Sequence, residues 1–350
     1  DTYFGAWMAA LDNKELAYSN AIEITREKTP AGFVPNAIWG AGFKTLDRSQ
    51  PPVGSLAVME LYRRFGDVWL LEELFPSLLE WNTWFYEHRQ IRKGLLAWGS
   101  NPYEPAYGNH WETAGVGSTY GGALESGLDN SPMYDEIPVD PDTHCLQLAD
   151  VGLMSLYIAD CQALRDMALT LGKNREAETL AQRANSIHQG LQSLWDEETG
   201  MFLNKRTDTD TFTYRLSPTH FYPLLCRAAS DQQAERMIKE HLLNPEEFWG
   251  DWILPSIARN DPAYPDQEYW RGRIWAPMNF LVYLGLRNYP FSEVRSEFAG
   301  KSVALLLKEW REHRHVHENY CADTGVGCDS MSSDKFYHWG ALLALIGLME

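Results

Sequence analysis

The stretch Glu125-Ser126-Gly127-Leu128-Asp129-Asn130-Ser131-Pro132 carries two carboxylates, separated by a glycine and followed by Asn-Ser-Pro. A segment with this much turn chemistry rarely lies inside a regular helix, so it predicts that at least one carboxylate is displayed from a loop. Upstream, residues 94–122 are rich in glycine and aromatic residues. The aromatic residues of this region are Trp98, Tyr103, Tyr107, Trp111 and Tyr120.

Two interpretations of this stretch compete. Flat Trp and Tyr faces bind the C–H groups of a sugar ring, while carboxylates bind hydroxyls and transfer protons. An acid that caps a helix, beside aromatic side chains that cover a core, would have the same composition. On residue types alone the second, structural interpretation is favoured, so the choice depends on the rest of the chain.

The composition describes a large acidic protein. With 350 residues, of which 45% are hydrophobic and 13% aromatic, the chain can bury one large core or two ordinary ones. Its formal charge of −18 argues against nucleic acid or an anionic membrane as partner, and no apolar run is long enough to span a bilayer. Five cysteines and the absence of an Asn-x-Ser/Thr sequon favour a cytoplasmic location.

The hydrophobic pattern predicts pairs of helices. Apolar residues recur at helical spacing in paired segments that are joined by short turns. The segments are 4–28 (two short helices), 53–65 with 68–88, 146–171 with 175–195, 219–229 with 231–242, 277–286 with 291–313, and a closing helix from 338. A small hairpin is expected near 197–205, and no strand is long enough for a central sheet.

Long aromatic, glycine-rich loops connect these pairs, and such loops in a compact helical domain are usually functional. Helical hairpins joined alternately by short turns and long loops predict a closed ring with the loops at one end. We therefore expect an all-α fold, an (α/α)6 barrel that forms a single domain over residues 1–350.

Several loop motifs occur in the order found in a known family. They are Asp1-Thr2-Tyr3-Phe4, Ser49-Gln50-Pro51-Pro52, the stretch 125–132, Ser217-Pro218-Thr219, the segment 269–279 (YWRGRIWAPMN) and His317-Glu318-Asn319-Tyr320. In this order they resemble glycoside hydrolase family 63, especially its compact microbial mannosylglycerate and glucosylglycerate hydrolases, which are related to processing α-glucosidase. The resemblance extends from Asp1 to Tyr337-His338-Trp339-Gly340. It implies an (α/α)6 barrel that hydrolyses an α-glycosidic bond with inversion.

The resemblance also implies individual roles. The family's general acid, the aspartate of its Glu-Ser-Gly-x-Asp motif, corresponds to Asp129, and its general base corresponds to Glu318 in a Glu-Asn-Tyr context. The aromatic and acidic opening of the family corresponds to Asp1, Tyr3, Phe4 and Trp7. A Trp-Asp-x-Pro-x-Gly-Trp-Ala-Pro segment of trehalase relatives is matched only loosely by 270–277. Family members usually begin before the opening aspartate, so we expect a domain truncated near its N-terminal edge.

The chemistry of inversion supports this pairing of acids. Inverting hydrolysis needs a protonated acid at the leaving oxygen and an ionised base at a water on the opposite face, with the carboxyl groups about 6.5–9.5 Å apart. Two loop residues far apart in sequence meet this demand more easily than two acids on one helical turn. Asp129 therefore pairs better with Glu318 than with Glu125. We expect Glu125 to have a supporting role, either binding sugar hydroxyls or raising the pKa of Asp129 by its charge.

The remaining candidates are predicted to bind substrate. They are Asp1, Tyr3, Phe4, Trp7, Gln50, Trp98, Trp270, Arg271, Gly272, Trp275 and Tyr320. Arg271, between indoles, can hydrogen-bond hydroxyls or a carboxylate. For Trp275 a core position is as good an interpretation as the pocket rim. For Gln50, loop capping is as good an interpretation as sugar binding.

A histidine-rich segment near the end of the chain raises the question of a metal. Its candidate ligands are His313, His315 and His317, with Cys321 and Cys328 further on. Zinc accepts such ligands, but their spacing matches no standard zinc pattern, and Arg314 adds unfavourable charge. The adjacent Glu318 already belongs to the catalytic interpretation. The sequence therefore predicts no metal and no cofactor.

The predicted function is that of an inverting, exo-acting α-glycosidase for a glucoside or mannoside, with a small carbohydrate as its partner. The alternatives are a trehalase-like (α/α)6 glycosidase and a non-catalytic sugar-binding protein of the same fold. Two separated acids argue against the last, because a binding module does not need them. The aglycone stays open between glycerate, a sugar and an oligosaccharide. Glycerate would require a cation or a cluster of hydroxyl groups beyond the scissile bond, and Arg215 and Arg271 are the candidate cations. The oligomeric state stays open too.

Overall fold

The computed structural model describes residues 1–38, 42–101 and 115–350. Three of the loop aromatics, Tyr103, Tyr107 and Trp111, lie outside the described residues. The helices are α1 (Thr2–Ala9), α2 (Lys14–Arg26), α3 (Gly54–Phe65), α4 (Val68–His88), α5 (Thr119–Ser126), α6 (Val151–Thr170), α7 (Asn174–Gln192), α8 (Tyr222–Leu225), α9 (Asp231–Arg236), α10 (Ala276–Leu286), α11 (Ser292–His313) and α12 (Leu342–Met349). The short strands are β1 (Gln90–Arg92), β2 (Leu95–Leu96), β3 (Leu148–Ala149), β4 (Trp195–Asp196), β5 (Met201–Phe202) and β6 (Lys205–Arg206).

The strands form only two-stranded antiparallel pairs, β1 with β2, β3 with β6 and β4 with β5. The β4–β5 pair is the hairpin that the sequence predicts. Within the described ranges there is no central sheet, and the helices account for nearly all of the regular structure.

The chain divides into two compact units. The first consists of Asp1–Asp129, Glu136–Leu194 and Asn204–Phe212. Here α6 is buried on almost all sides, because it packs against α3, α4 and α7. The Asp150 side chain starts α6 by accepting a 2.7 Å hydrogen bond from the Leu153 N–H. Gly66, with φ +76°, ends α3 in the left-handed conformation that glycine adopts without strain.

The second unit consists of Asn130–Asp135, Trp195–Leu203 and Thr213–Glu350. Its central element is α10, which packs against α8, α11 and α12. After α9 the chain continues through a π-helical segment, Met237–Leu242. Short 3-10 helices cover Pro132–Tyr134, Pro218–Phe221, Tyr264–Asp266 and His338–Ala341. The prediction of a single domain over the whole chain stays a prediction.

The predicted helix pairs agree with most of the structure. The helix predicted over 219–229 is shorter, since a 3-10 helix covers Pro218–Phe221 and α8 covers only Tyr222–Leu225. α6 begins at Val151 rather than at residue 146, because Leu148 and Ala149 pair with β6. The helix α5 is not among the predicted helices, because the glycine-rich sequence around it is typical of a loop. Its glycines serve close packing: a Cβ on Gly121 would lie 1.9 Å from the Gly115 carbonyl oxygen, and one on Gly122 would lie 2.7 Å from Leu146.

No helix in the described part of the chain is long and apolar enough to cross a membrane. All five cysteines are free thiols.

Candidate active site

The acidic stretch 125–132 begins in the last turn of α5 and continues beyond the end of this helix. Glu125 lies in the last turn of α5, and Gly127 ends this helix with φ +73°. Asp129 follows in a turn. The prediction that at least one carboxylate is displayed from a loop is therefore correct for Asp129. The Ser118 side chain begins α5 by accepting a hydrogen bond from the Gly121 N–H.

Glu125 is fully buried and bound by protein groups alone. Its Oε1 accepts hydrogen bonds from the Ser49 N–H (2.9 Å) and Arg89 Nη2 (2.7 Å). Its Oε2 accepts from the Gly99 N–H (2.7 Å) and Arg89 Nε (2.6 Å). These contacts occupy the roughly four acceptor sites of a carboxylate. Both hypotheses for Glu125 need correction: no acceptor is left for a sugar hydroxyl, and the Arg89 guanidinium neutralises the charge that would tune Asp129.

Asp129 has the pKa expected of a general acid. Burial raises the pKa of its half-buried carboxyl to about 6, although the positive charge of Arg48 acts in the opposite direction. Desolvation wins because an ionised carboxylate loses more solvation energy than a partly compensated cation returns. The raised pKa was predicted, but its source is burial and not the charge of Glu125. A carboxyl with this pKa keeps a usable fraction of its proton near neutral pH.

Asn130, which follows Asp129, is held by hydrogen bonds to the turn at residues 268–270. Asn130 Oδ1 accepts a 2.8 Å hydrogen bond from the Trp270 N–H, and Asn130 Nδ2 donates to the Glu268 carbonyl at 3.3 Å. Tyr269, between these two partners, has φ +56°, a left-handed conformation that is uncommon for a non-glycine residue. The turn carrying Tyr269 is therefore closely determined by its surroundings.

Glu318 is a buried acid with only 7% of its surface exposed. Its Oε1 accepts a 3.2 Å hydrogen bond from the Tyr269 hydroxyl, and its Oε2 accepts from the Asp334 N–H at 3.2 Å. The backbone of Glu318 is held as well, because its N–H donates to the Asp334 carbonyl and its carbonyl accepts from Trp339 Nε1. These bonds give Glu318 a defined position, as a general base needs.

Aromatic side chains pack together around the groups that bind Glu318. Trp270 and Trp275 stack with ring centroids 3.5 Å apart, and Trp339 meets Trp275 edge-on at 5.5 Å. Trp275 is completely buried and donates its Nε1–H to the Tyr269 carbonyl. Of the two interpretations of Trp275, a core position and the pocket rim, its complete burial supports the core position. Tyr320 is also fully buried, and its hydroxyl accepts from the His317 N–H.

The opening motif belongs to the core of the first unit more than to a surface. Tyr3 is fully buried, stacks on Trp81 and shares a 2.8 Å hydrogen bond with the Thr25 hydroxyl. Phe4, Trp7 and Trp98 are buried. Direct sugar contact by Tyr3, Trp275 or Tyr320 is therefore wrong, because these side chains have no exposed surface. They support the neighbouring loops by packing.

Three of the predicted substrate-binding residues are not buried. Asp1 is exposed, and Gln50 and Arg271 are half-buried. The Gln50 backbone N–H donates to the Val34 carbonyl, which fixes this residue's loop. Arg271 is paired with Asp266 at 2.8 Å and with Asp135 at 3.1 Å.

The neighbouring Gly272 has φ +107°, and a Cβ there would lie 2.5 Å from the Tyr264 carbonyl oxygen. Only glycine therefore fits this position without strain. The other candidate cation, Arg215, is bound to Asp261 at 2.8 Å and Asp135 at 2.9 Å.

Sequence reasoning missed residues that bind or influence the three acids. Arg89 neutralises Glu125, Arg48 lies beside Asp129, and Tyr269 binds Glu318. No local pattern marks Arg89 or Arg48 as partners of acids, because those acids lie far away in the chain. Tyr269 belongs to the motif 269–279, but its residue type does not predict the left-handed backbone conformation that it adopts.

A mainly helical structure with an aspartate of raised pKa and a buried, well-oriented glutamate matches the class of (α/α)6 glycosidases. Solved structures with this fold include a mannosylglycerate hydrolase of glycoside hydrolase family 63 from Thermus thermophilus. It is 21% identical with a TM-score of 0.81 and is matched over 99% of this chain and 92% of that chain. A neutral trehalase from Saccharomyces cerevisiae is 18% identical with a TM-score of 0.77, over 99% of this chain and 70% of that chain.

The family profile of the mannosylglycerate hydrolase MGH1-like glycoside hydrolase domain matches residues 1–339, and the chain belongs to this family. A mannosylglycerate hydrolase of Selaginella moellendorffii is 24% identical over 89% of this chain and 69% of that protein. A probable mannosyl-oligosaccharide glucosidase of Schizosaccharomyces pombe is 27% identical over 80% of this chain and 34% of that protein. The predicted family, the (α/α)6 fold and the class of enzyme, a glycoside hydrolase that acts on α-linked glycosides, are confirmed.

Proposed function

We propose that this enzyme hydrolyses a mannoside or glucoside of a small polar acceptor, with glycerate as the first candidate aglycone, by a single inverting displacement. Asp129 is the general acid and Glu318 the general base. Relatives named mannosylglycerate hydrolase support the choice of substrate class. A solved relative in complex with Tris and D-glycerate supports a small acidic aglycone.

The observation that carries the assignment is the pKa of Asp129. A carboxyl group held near pKa 6 by burial can give its proton to the leaving glycosidic oxygen close to neutral pH. Glu125, the other acid of the stretch, cannot act in this way, because Arg89 and two backbone N–H groups bind both of its oxygens. Glu125 instead positions the loops that carry Ser49 and Gly99.

Glu318 meets the requirements of a base. It is shielded from bulk solvent, and its carboxylate is oriented by hydrogen bonds from the Tyr269 hydroxyl and the Asp334 N–H. A carboxylate held in a fixed orientation can accept a proton from a water molecule that lies within hydrogen-bond reach. The mechanism requires the carboxyl groups of Asp129 and Glu318 to lie about 6.5–9.5 Å apart with that water between sugar and base.

The reaction then follows from these roles. Asp129 protonates the glycosidic oxygen while Glu318 removes a proton from the attacking water, and the anomeric centre inverts. The product of an α-linked substrate is the β-anomer of the free sugar. The stacked indoles Trp270 and Trp275 keep the turn of Tyr269 in place, so that the phenol hydroxyl continues to orient Glu318.

A substrate screen tests the proposal. Purified protein is incubated with mannosylglycerate, glucosylglycerate, trehalose and α-linked glucose disaccharides, and proton NMR follows the first product anomer. We expect the highest kcat/KM on a glycerate glycoside and initial release of the β-sugar. Preference for trehalose would overturn the substrate assignment, and initial release of the α-sugar would overturn the inverting mechanism.

A further inference from the structure

A cluster of side chains with metal-ligating atoms is formed by two histidines between α11 and Glu318 and by a cysteine from the following loop. One nitrogen each of His315 and His317 and the sulfur of Cys328 all lie within 4.8 Å of one another. The two histidines are buried and Cys328 is half-buried. None of these side chains has a part in the glycosidase mechanism above.

Local structure explains how this cluster forms. Arg314, with φ +62°, ends α11 and turns the chain into an extended segment in which His317 pairs with Lys335. Residues two apart in an extended segment project to the same side, so His315 and His317 face one way. Their ring centroids are 4.4 Å apart.

Cys328 is brought to these rings by a glycine. A Cβ on Gly327 would lie 2.3 Å from His317 Cγ, so only glycine lets the backbone approach the imidazole this closely. Cys328 Sγ then lies 3.6 Å from His317 Nδ1 and 3.8 Å from its Nε2. Nitrogen and sulfur ligands of one tetrahedral zinc ion are about 3.6 Å apart, given Zn–N and Zn–S bonds of about 2.0–2.1 and 2.3 Å.

The two similar distances place the sulfur beside the imidazole face. Metal binding therefore requires the His317 ring to turn about its Cβ–Cγ bond, a torsion with a broad energy minimum. The ring also has a carboxylate partner. Oε2 of the buried Glu309 lies 3.1 Å from His317 Nε2 and is held in place by the Gly327 N–H at 3.0 Å. A histidine that binds a metal through one nitrogen typically donates its other N–H to such a carboxylate.

We infer that His315, His317 and Cys328 bind a borderline-soft divalent transition metal, zinc by preference, with Glu309 orienting His317 and water as the fourth ligand. Two imidazoles and one thiolate suit zinc better than magnesium or calcium, which require oxygen ligands. Binding releases the thiol proton of Cys328 to solvent, since the thiolate is the ligand. The sequence shows these residues as candidate ligands, but it does not predict a metal site, because ligands at 315, 317 and 328 follow no standard zinc spacing.

The proposed metal site is adjacent in sequence to the proposed general base, since Glu318 directly follows His317. A metal bound by His315 and His317 constrains the segment whose next residue is Glu318. This one consequence rests on the proposed function, whereas metal binding itself does not depend on glycosidase activity.

Cobalt(II) titration of the chelator-treated full chain tests the inference. We expect one equivalent of cobalt to give the visible bands of a tetrahedral ion and a near-ultraviolet sulfur-to-cobalt charge-transfer band. Zinc should abolish both signals stoichiometrically. Cys328→Ser should lose the charge-transfer band. Cys321→Ser is the matched control, because Cys321 is a nearby buried thiol outside the cluster, and it should keep the band.

Two further variants separate ligands from supporting residues. His315→Ala should weaken zinc binding at least about 100-fold, whereas Glu309→Gln should weaken it about 10–100-fold and keep the charge-transfer band. Circular dichroism shows whether each variant is folded, and His315→Ala serves as the decisive variant if Cys328→Ser does not fold. Equal zinc affinity of the wild type and His315→Ala would overturn the inference, as would the absence of a cobalt–sulfur band in the wild type.

Discussion

At the scale of single residues, the two acids of the stretch 125–132, Glu125 and Asp129, have different roles because their surroundings differ. Glu125 is bound by the Arg89 guanidinium, while Asp129 is half-buried and its raised pKa lets it keep its proton to higher pH. Residue types identified both as candidates, since carboxylates beside a glycine turn are visible in the sequence. Their partners were not predictable, because burial and long-range ion pairs are set by packing.

The role of Glu125 gives the first prediction. Glu125→Gln should leave the alkaline limb of the pH–kcat profile unchanged but destabilise the protein by about 3–5 kcal/mol, because the buried Arg89 loses its counter-charge. Urea unfolding and the pH profile are the measurements. The exposed Glu87→Gln is the control and should change neither. A shifted alkaline limb at unchanged stability would show that Glu125 tunes Asp129 after all.

A second prediction concerns Asp160, which is buried in α6 and accepts a 2.8 Å hydrogen bond from Asn82 Nδ2. Burial raises the pKa of this carboxyl to about 7. Between the ordinary aspartate pKa near 4 and this value, the folded state holds a proton that the unfolded state has lost. Stability therefore falls as pH rises through this window.

The Asp160→Asn variant should remove this dependence and be more stable than the wild type above pH 7. Urea unfolding at a series of pH values measures the difference. Asp166→Asn, on the same helix but partly exposed, should retain the wild-type slope. A wild type whose stability rises between about pH 4 and 7 relative to Asp160→Asn would contradict the assignment.

At the scale of elements, most helices were predictable and α5 was not. The pairs α3–α4 and α6–α7 have regular apolar spacing and a glycine at the turn between them, Gly66 and Gly172. In α5 the same residue type has another role, since Gly121 and Gly122 allow close approach by Gly115 and Leu146. Sequence alone cannot distinguish a glycine that bends the chain from one that admits a neighbour.

The end of α5 provides the third prediction. Gly127→Ala should cost about 1–2 kcal/mol, because φ +73° is a left-handed conformation, and it should also lower kcat by displacing the turn of Asp129. Gly172→Ala is the matched control, since Gly172 has φ +71° and no neighbouring atoms within 4 Å of an added Cβ. It should lose similar stability at unchanged kcat. Equal kcat values for the two variants would show that the end of α5 does not position Asp129.

At the scale of the whole molecule, the alternation of short turns with long loops was enough to predict the (α/α)6 class, and the family match agrees with it. The pattern did not show which aromatics line a pocket. Tyr3, Trp275 and Tyr320 stand in motifs that resemble the family's, yet they are fully buried. A motif residue can support a site by packing as well as by contact, and only the structure separates these two roles. The gathering of the long loops at one end of the barrel stays a prediction.

The division of labour between Asp129 and Glu318 is the central claim, and the leaving group tests it most directly. Activity of Asp129→Asn and Glu318→Gln is measured on a natural α-glycoside and on the matching α-glycosyl fluoride. General acid catalysis is worth about 10²–10⁴-fold, but fluoride leaves with little protonation. Asp129→Asn should therefore lose much less activity on the fluoride, while Glu318→Gln should lose activity about equally on both. Equal losses for Asp129→Asn on the two substrates, or recovery of Glu318→Gln on the fluoride, would contradict these roles.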